Sequence, residues 1–174
     1  MNIRKAKKSD AKQVATVHVE TWRTAYRGIV SDNFLDNKLS IKRSAENIEK
    51  NFNLPIAPIF LVAENKNGRI IGFCRGGFNR EKETFPQYSG ELMAIYILDK
   101  YQRQSVGISL VKVFCDELRK MNLNNMIIRT LEKSKYKEFY KKIGGKNIGK
   151  SKINIGGSEL AVITFGFDEL PKKF

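Results

Sequence analysis

Between Glu91 and Leu131 the hydrophobic pattern changes period twice, and this limits the architectures open to the chain. Glu91-Leu92-Met93-Ala94-Ile95-Tyr96-Ile97-Leu98 reads by composition as a buried strand. Val106, Leu110, Val113, Phe114, Leu118 and Met121 then recur at the spacing of an amphipathic helix. Asn125 to Leu131 returns to a strand pattern. Strand, helix and strand over this length suit a right-handed parallel crossover, because parallel neighbours need a long connection.

The flanking segments build a mixed α/β domain around that unit. Ile3 to Ala6 reads as a first strand. Ser9 is placed to cap a helix whose first turn holds Asp10, where a negative charge suits the helix dipole. Ala11, Val14, Ala15, His18, Trp22, Ala25 and Tyr26 share one face of it, and Gly28 is placed to end it in a left-handed turn. Ser40 caps a second helix with Ile41, Ala45, Ile48 and Phe52 as its stripe, ended by Pro55 and Pro58. Ile59 to Glu64 and Arg69 to Phe78 are strand-like. Asn67-Gly68 between them suits a tight hairpin because both residues tolerate positive φ. A helix is expected from Ser134 to Ile143, broken by Gly144-Gly145. Strands Asn147 to Ile155 and Glu159 to Phe167 join through Gly156-Gly157. No linker, repeat or low-complexity tract divides the 174 residues, so one domain over 1–174 is expected, frayed only at ends such as Lys172-Lys173.

Composition removes several function classes. With 41% hydrophobic and 29% charged residues, the chain has the balance of a folded soluble domain. Its length suffices to bury about 70% of the unfolded surface without a disulfide or metal. No apolar run approaches a membrane span, and the N-terminus turns polar at once. One histidine, His18, and two distant cysteines, Cys74 and Cys115, make a Cys/His zinc site very poorly supported, and no Gly-x-Ser-x-Gly elbow accompanies the histidine. Isolated cysteines without a signal peptide fit the cytoplasm. The net charge of +14 attracts polyanions, including a phosphorylated cofactor. The lysines are spread along the chain, denser from Lys133 to Lys152, without interleaved RNA-binding aromatics, so a solvated basic surface is expected and nucleic acid is not the expected partner.

The stretch that carries chemistry is Tyr101-Gln102-Arg103-Gln104-Ser105-Val106-Gly107-Ile108-Ser109-Leu110, between the buried strand and the amphipathic helix. A helix start presents unpaired N–H groups and the positive dipole end, and small residues let a phosphate approach. On spacing alone it is either an anion cradle or a plain strand-to-helix loop. The stretch resembles the Gln/Arg-x-x-Gly-x-Gly/Ala signature of the GNAT superfamily of N-acetyltransferases, with Gln102 first and Gly107 last. Ser105 stands where the first glycine is usual. If that backbone needs positive φ, serine costs about 1 kcal/mol; if not, its hydroxyl can bond phosphate.

The resemblance runs along nearly the whole chain. Thr21-Trp22-Arg23-Thr24-Ala25-Tyr26-Arg27-Gly28-Ile29-Val30 is similar to the end of the first helix in a bacterial branch, and Gly90 to Ile97 to the strand before the cradle. Phe139-Tyr140-Lys141-Lys142-Ile143-Gly144 resembles the end of the fourth helix, although Gly145 replaces the usual aromatic. Ile155-Gly156-Gly157-Ser158-Glu159-Leu160 resembles the last hairpin turn. The family implies a mixed, mostly antiparallel sheet flanked by helices, with a splayed parallel pair at its centre. It implies acetyl-CoA as co-substrate, no metal, and transfer to an amine in a ternary complex. Pantetheine would lie along backbone around Ile95, Tyr96 and Ile97. The pyrophosphate would lie on Gln102, Arg103, Gln104, Ser105, Val106, Gly107 and Ile108, with Ser109 adding a contact.

Further roles follow from the same resemblance. Glu91 would take the proton of the amine and Tyr140 would protonate the leaving thiolate. Trp22, Tyr26 and Arg27 would border the acceptor, although Trp22 also suits the core, as does His18. Tyr140 can equally be an aromatic packed between helix and sheet, and Glu91 a surface glutamate at a strand end. A CoA-binding module without catalysis and a nucleic-acid-binding protein on the same fold are the competing functions. Polyamine, aminoglycoside, amino acid, peptide N-terminus and protein lysine all stay open as acceptors, acyl groups longer than acetyl are open too, and a homodimer through the last strands is open.

Overall fold

The computed structural model describes residues 1–54 and 58–171. Seven strands, β1 (Asn2–Lys5), β2 (Ile59–Glu64), β3 (Ile70–Phe78), β4 (Gly90–Ile97), β5 (Met126–Leu131), β6 (Lys146–Ile155) and β7 (Ser158–Phe167), form one sheet ordered β1-β2-β3-β4-β5-β7-β6. The pair β4–β5 is parallel and the other neighbours are antiparallel. The parallel pair is the crossover read from the period changes, and its connection is α3 (Val106–Lys120). Helices α1 (Ala11–Ala25) and α2 (Ile41–Asn51) cover one face through Val14, Ala15, Val17, Ile48, Phe60, Val62 and Phe73. On the other face Leu110, Phe114 and Leu118 of α3 pack with Leu61, Leu92, Met126, Ile128 and Phe165.

Local chemistry explains most element ends. The Ser40 hydroxyl accepts from the Arg43 N–H at 3.2 Å and caps α2. Gly28 at φ +76° turns the chain after α1. Gly156 and Gly157 are both left-handed and make a two-residue hairpin turn. Asn67-Gly68 behaves differently: only Gly68 has positive φ, at +73°. The Asn65 side-chain oxygen accepts from the N–H groups of Asn67 and Arg69, so the loop is wider than a two-residue turn. Ser9 does not cap α1. A 3-10 turn, Lys8–Asp10, leads into the helix, and the buried Asp10 carboxylate accepts from the Lys7 N–H and from Arg4 of β1 instead. The expected helix from Ser134 shortens to α4 (Lys137–Lys142), since Ser134 to Tyr136 form turns held by the Ser134 hydroxyl. Gly144 at φ +97° ends it. Pro55 and Lys172-Lys173 lie outside the described residues.

Half of the eight lysines between 133 and 152 are tied to neighbouring acids: Lys141 to Glu138, Lys146 to Asp168, Lys150 to Glu132 and Lys152 to Glu159. Lys146, Lys150 and Lys152 sit on β6, the sheet edge, where lysines and a register shift between Asn147 and Gly149 discourage another strand from pairing. Cys74 and Cys115 are free and buried. No helix among the described residues is long and apolar enough to cross a membrane.

Candidate active site

The centre of the sheet opens because β4 carries an extra residue. Arg75 pairs with Ala94, but Gly76 pairs with Leu92, so Met93 is bulged out of the β3–β4 ladder. The parallel pairing of β4 with β5 also stops at Leu92–Ile128. Beyond that point β5 continues against β7 and β4 continues against β3, and the two strands part. The bulge reverses the side-chain alternation. Leu92, Ile95 and Ile97 share the α3 side, whereas Ala94 and Tyr96 face α1. The gap is a small, solvent-open cleft lined by Tyr26, Met93, Ala94, Ile95, Tyr96, Arg129, Thr130 and Tyr140, with Leu92 and Ile128 at its root.

The segment from the end of β4 to α3 is built around backbone donors. The φ angles run −71° at Gln102, +59° at Arg103, negative at Gln104 and +61° at Ser105, before the right-handed helix begins at Val106. Alternating signs of this kind turn successive N–H groups into one concavity. The first helical bond runs from the Ser109 N–H to the Ser105 carbonyl. The six N–H groups of Arg103 to Ile108 have no acceptor among the described residues. Both glutamine side chains turn away. Gln102 Nε2 donates to the Ile97 carbonyl at 3.0 Å and Gln104 Nε2 to the Lys100 carbonyl at 2.9 Å, so they brace the loop. Gly107 lies where α3 meets β4 and α4. A Cβ there would stand 3.4 Å from Ile97 and 3.5 Å from Phe139.

The stretch 57–144 matches the family model for the acetyltransferase (GNAT) domain. The chain belongs to the GNAT acetyltransferases. A relative from Bacillus subtilis (strain 168), the uncharacterized N-acetyltransferase YuaI, is 30% identical over 170 residues, which is 98% of this chain and 94% of the relative. Two solved structures share the fold. The PaiA N-acetyltransferase from Thermoplasma acidophilum, in complex with coenzyme A, has a TM-score of 0.70 at 20% identity, over 95% of this chain and 98% of that one. YncA from Salmonella typhimurium, a putative acetyltransferase with its cofactor acetyl-CoA, has a TM-score of 0.70 at 19% identity, over 100% of this chain and 96% of that one.

In this GNAT chain Ser105 is left-handed, so the departure from glycine carries a conformational cost of about 1 kcal/mol. Its hydroxyl makes no cap bond in return. Ser105→Gly is expected to raise stability by about 1 kcal/mol, a rise of about 2–4 °C in Tm for a domain of this size, read by thermal unfolding. An unchanged or lower Tm would contradict the strain.

Tyr140 is buried, with its ring 5.5 Å from Phe139 and 5.9 Å from Phe165 by centroid, and it lines the cleft. Burial, and then the neighbouring Tyr96 phenol, push its pKa above the ordinary phenol value, so it is a neutral proton carrier at any physiological pH. Tyr26 shifts upward for the same reasons, burial first and Tyr96 next. Glu91 is fully buried at the start of β4 and does not line the cleft. Its carboxylate accepts from Arg80 Nε at 2.9 Å, Arg80 Nη2 at 2.8 Å and the Arg80 N–H at 3.2 Å. Arg27 is turned outward onto Asp32 and Asp36, at 2.8 Å each. Trp22 meets Tyr26 edge-on at 4.9 Å, and its indole N–H is buried. Among the described residues no group of His, Cys, Asp and Glu is placed to hold a metal.

Sequence reasoning missed Met93, Ala94, Arg129 and Thr130 of the cleft wall, and also Arg75 and Arg80. The signal for the bulge was Gly76, since a glycine inside a strand marks a bulge or a close backbone approach.

His18 contacts Trp22 at 5.3 Å and Tyr96 at 5.4 Å by centroid, and its Nδ1 lies 3.3 Å from the Ser44 hydroxyl. Burial, and secondarily Arg75, lower its pKa to about 4. The unfolded imidazole titrates near 6.5, so between these values the unfolded chain binds more protons than the folded one. Stability should therefore fall as pH drops from about 6.5 towards 4, by up to about 1.4 kcal/mol per pH unit from this group. Denaturant melts of wild type and His18→Gln across that range test it, and equal slopes would contradict it.

Proposed function

We propose that this GNAT enzyme transfers an acetyl group from acetyl-CoA to a primary amine by direct attack within a ternary complex. The observation that carries the reading is the row of six N–H groups from Arg103 to Ile108 without acceptors, at the end of a strand that has parted from its neighbour. Such a row suits a diphosphate, and the freed edge of β4 around Ile95, Tyr96 and Ile97 suits the amides of a pantetheine arm. Val106, Gly107 and Ile108 contribute helix-start donors, Arg103, Gln104 and Ser105 contribute the left-handed loop, and the Ser109 hydroxyl lies one turn on. Bound there, acetyl-CoA supplies an activated thioester, and the chain's work is to hold it and to move protons.

Tyr140 donates a proton to the departing sulfur, since its phenol stays protonated at the cleft wall. Glu91 takes the proton of the amine through water. Arg80 holds both oxygens of this carboxylate, and a water must replace one Arg80 bond for the transfer to occur. Trp22 and Tyr26 border the acceptor side. Arg27 serves that side by fixing the π-helical turn Phe34–Lys38 through Asp36. Two buried free thiols support a cytoplasmic location.

Thiol release from acetyl-CoA over a panel of amines tests the reading. Amine-dependent release supports it, and Glu91→Gln should then slow turnover. Tight coenzyme A binding without release on any amine would favour the CoA-binding module instead.

A further inference from the structure

We propose that the acceptor is a small amine carrying a carboxylate, and that Arg75 holds that carboxylate beside the cleft. The inference rests on the acetyltransferase reading and names its substrate class.

Arg75 lies on β3 directly opposite Ala94, a residue of the cleft wall. Its neighbours Cys74 and Gly76 point to α3: the Cys74 thiol lies against the Leu110 carbonyl, and a Cβ on Gly76 would meet Phe114. Arg75 therefore projects to the opposite face, that of α1 and α2, where Tyr96 and His18 also sit. There its guanidinium is half-buried, and its hydrogen bond is from Nη1 to the neutral Asn51 side-chain oxygen, at 3.0 Å. It forms no ion pair among the described residues.

The nearby carboxylate, Glu91, already gives both oxygens to Arg80. What surrounds Arg75 is otherwise a neutral imidazole, a neutral phenol and a second cation. Burial, and then Arg80, pull its pKa below the ordinary guanidinium value, the direction expected of an undercompensated charge. A planar guanidinium with free donors on a protein wall matches a carboxylate in a two-pronged geometry.

The same face limits the size of the acceptor. The connection from α1 to α2 closes on the β6–β7 turn, where Phe34 packs so tightly on Gly156 that a Cβ there would stand 2.7 Å from it. Val30, Leu35, Leu131 and Val162 seal the apolar cluster beneath. The net charge of +14 also repels a polycation, whereas a zwitterion with no net charge is not repelled. A carboxylate-bearing small amine meets all of these conditions. Polyamines, aminoglycosides and protein lysines do not.

The test is a set of matched acceptors, α-, β- and γ-amino acids each paired with its carboxamide, with thiol release from acetyl-CoA as readout. For the best acceptor, kcat/KM for the acid should exceed that for the amide by at least about tenfold, mostly through KM. Arg75→Gln should erase the preference by raising KM for the acids alone, with coenzyme A affinity unchanged. The wild-type pairs decide the matter even if the variant fails to fold. Equal rates on acids and amides would overturn the inference and leave the acetyltransferase reading standing, as would an Arg75→Gln variant that slows both alike. Release on no amine at all would remove both.

Discussion

Tyr140→Phe should lower turnover by about 10²–10⁴-fold while leaving coenzyme A affinity nearly intact. The substitution keeps the ring, and with it the packing against Phe139 and Phe165. It removes only the hydroxyl of a residue that lines the cleft. Burial and Tyr96 hold the phenol protonated across the working pH range, as the proposed donor role requires. The loss should therefore appear in kcat, with KM for the acceptor little changed, because the missing interaction matters as charge builds on sulfur. The residual rate would come from holding the two reactants together. Unchanged turnover would remove the role, and a matching loss of coenzyme A affinity would make Tyr140 a packing residue instead.

Gly76→Ala should destabilise the fold by about 3 kcal/mol, lowering Tm by roughly 10 °C in thermal unfolding. A Cβ at position 76 would stand 2.5 Å from the Phe114 ring and closer still to the Glu91 carbonyl. Neither neighbour is free to yield, since Phe114 is fully buried in the α3 core and the Glu91 carbonyl belongs to the backbone of β4. Relief must come from pushing β4 away from β3 at the bulge. That is the place where β4 leaves β5, so activity should fall further than stability alone explains. A stable, fully active alanine variant would show that the close approach at Gly76 is not what sets the bulge.

Much of the architecture was legible because periodicity and turn chemistry agree. The crossover from Glu91 to Leu131, the Ser40 cap, the Gly28 turn and the Gly156-Gly157 hairpin each follow from local residue types. The bulge was not legible from β4 itself. Leu92 to Ile97 is apolar throughout, so a one-residue shift in alternation leaves no trace in its pattern. Only the close approach required at Gly76 reveals it. Ser9 misled because Asp10 finds Arg4, a partner on β1 that the helix pattern does not contain.

At the site, the helix start at Val106 followed from the change of period, while spacing alone left the loop before it open between an anion cradle and a plain connection. The conformation of Ser105 did not, because serine is compatible with either sign of φ. The surroundings of Glu91 and Arg75 were hidden for a different reason. Arg80 lies in the β3–β4 loop and Asn51 at the end of α2, so neither link shows in local spacing.

The N–H groups of Arg103 to Ile108 are expected to grip a diphosphate. Calorimetric titration with coenzyme A and, separately, with pantetheine, which lacks the diphosphate and the adenosine 3′-phosphate attached to it, sets an upper bound on that grip. Coenzyme A should bind at least about 100-fold more tightly, close to 2.8 kcal/mol. Equal affinities, or no coenzyme A binding at millimolar concentration, would contradict it.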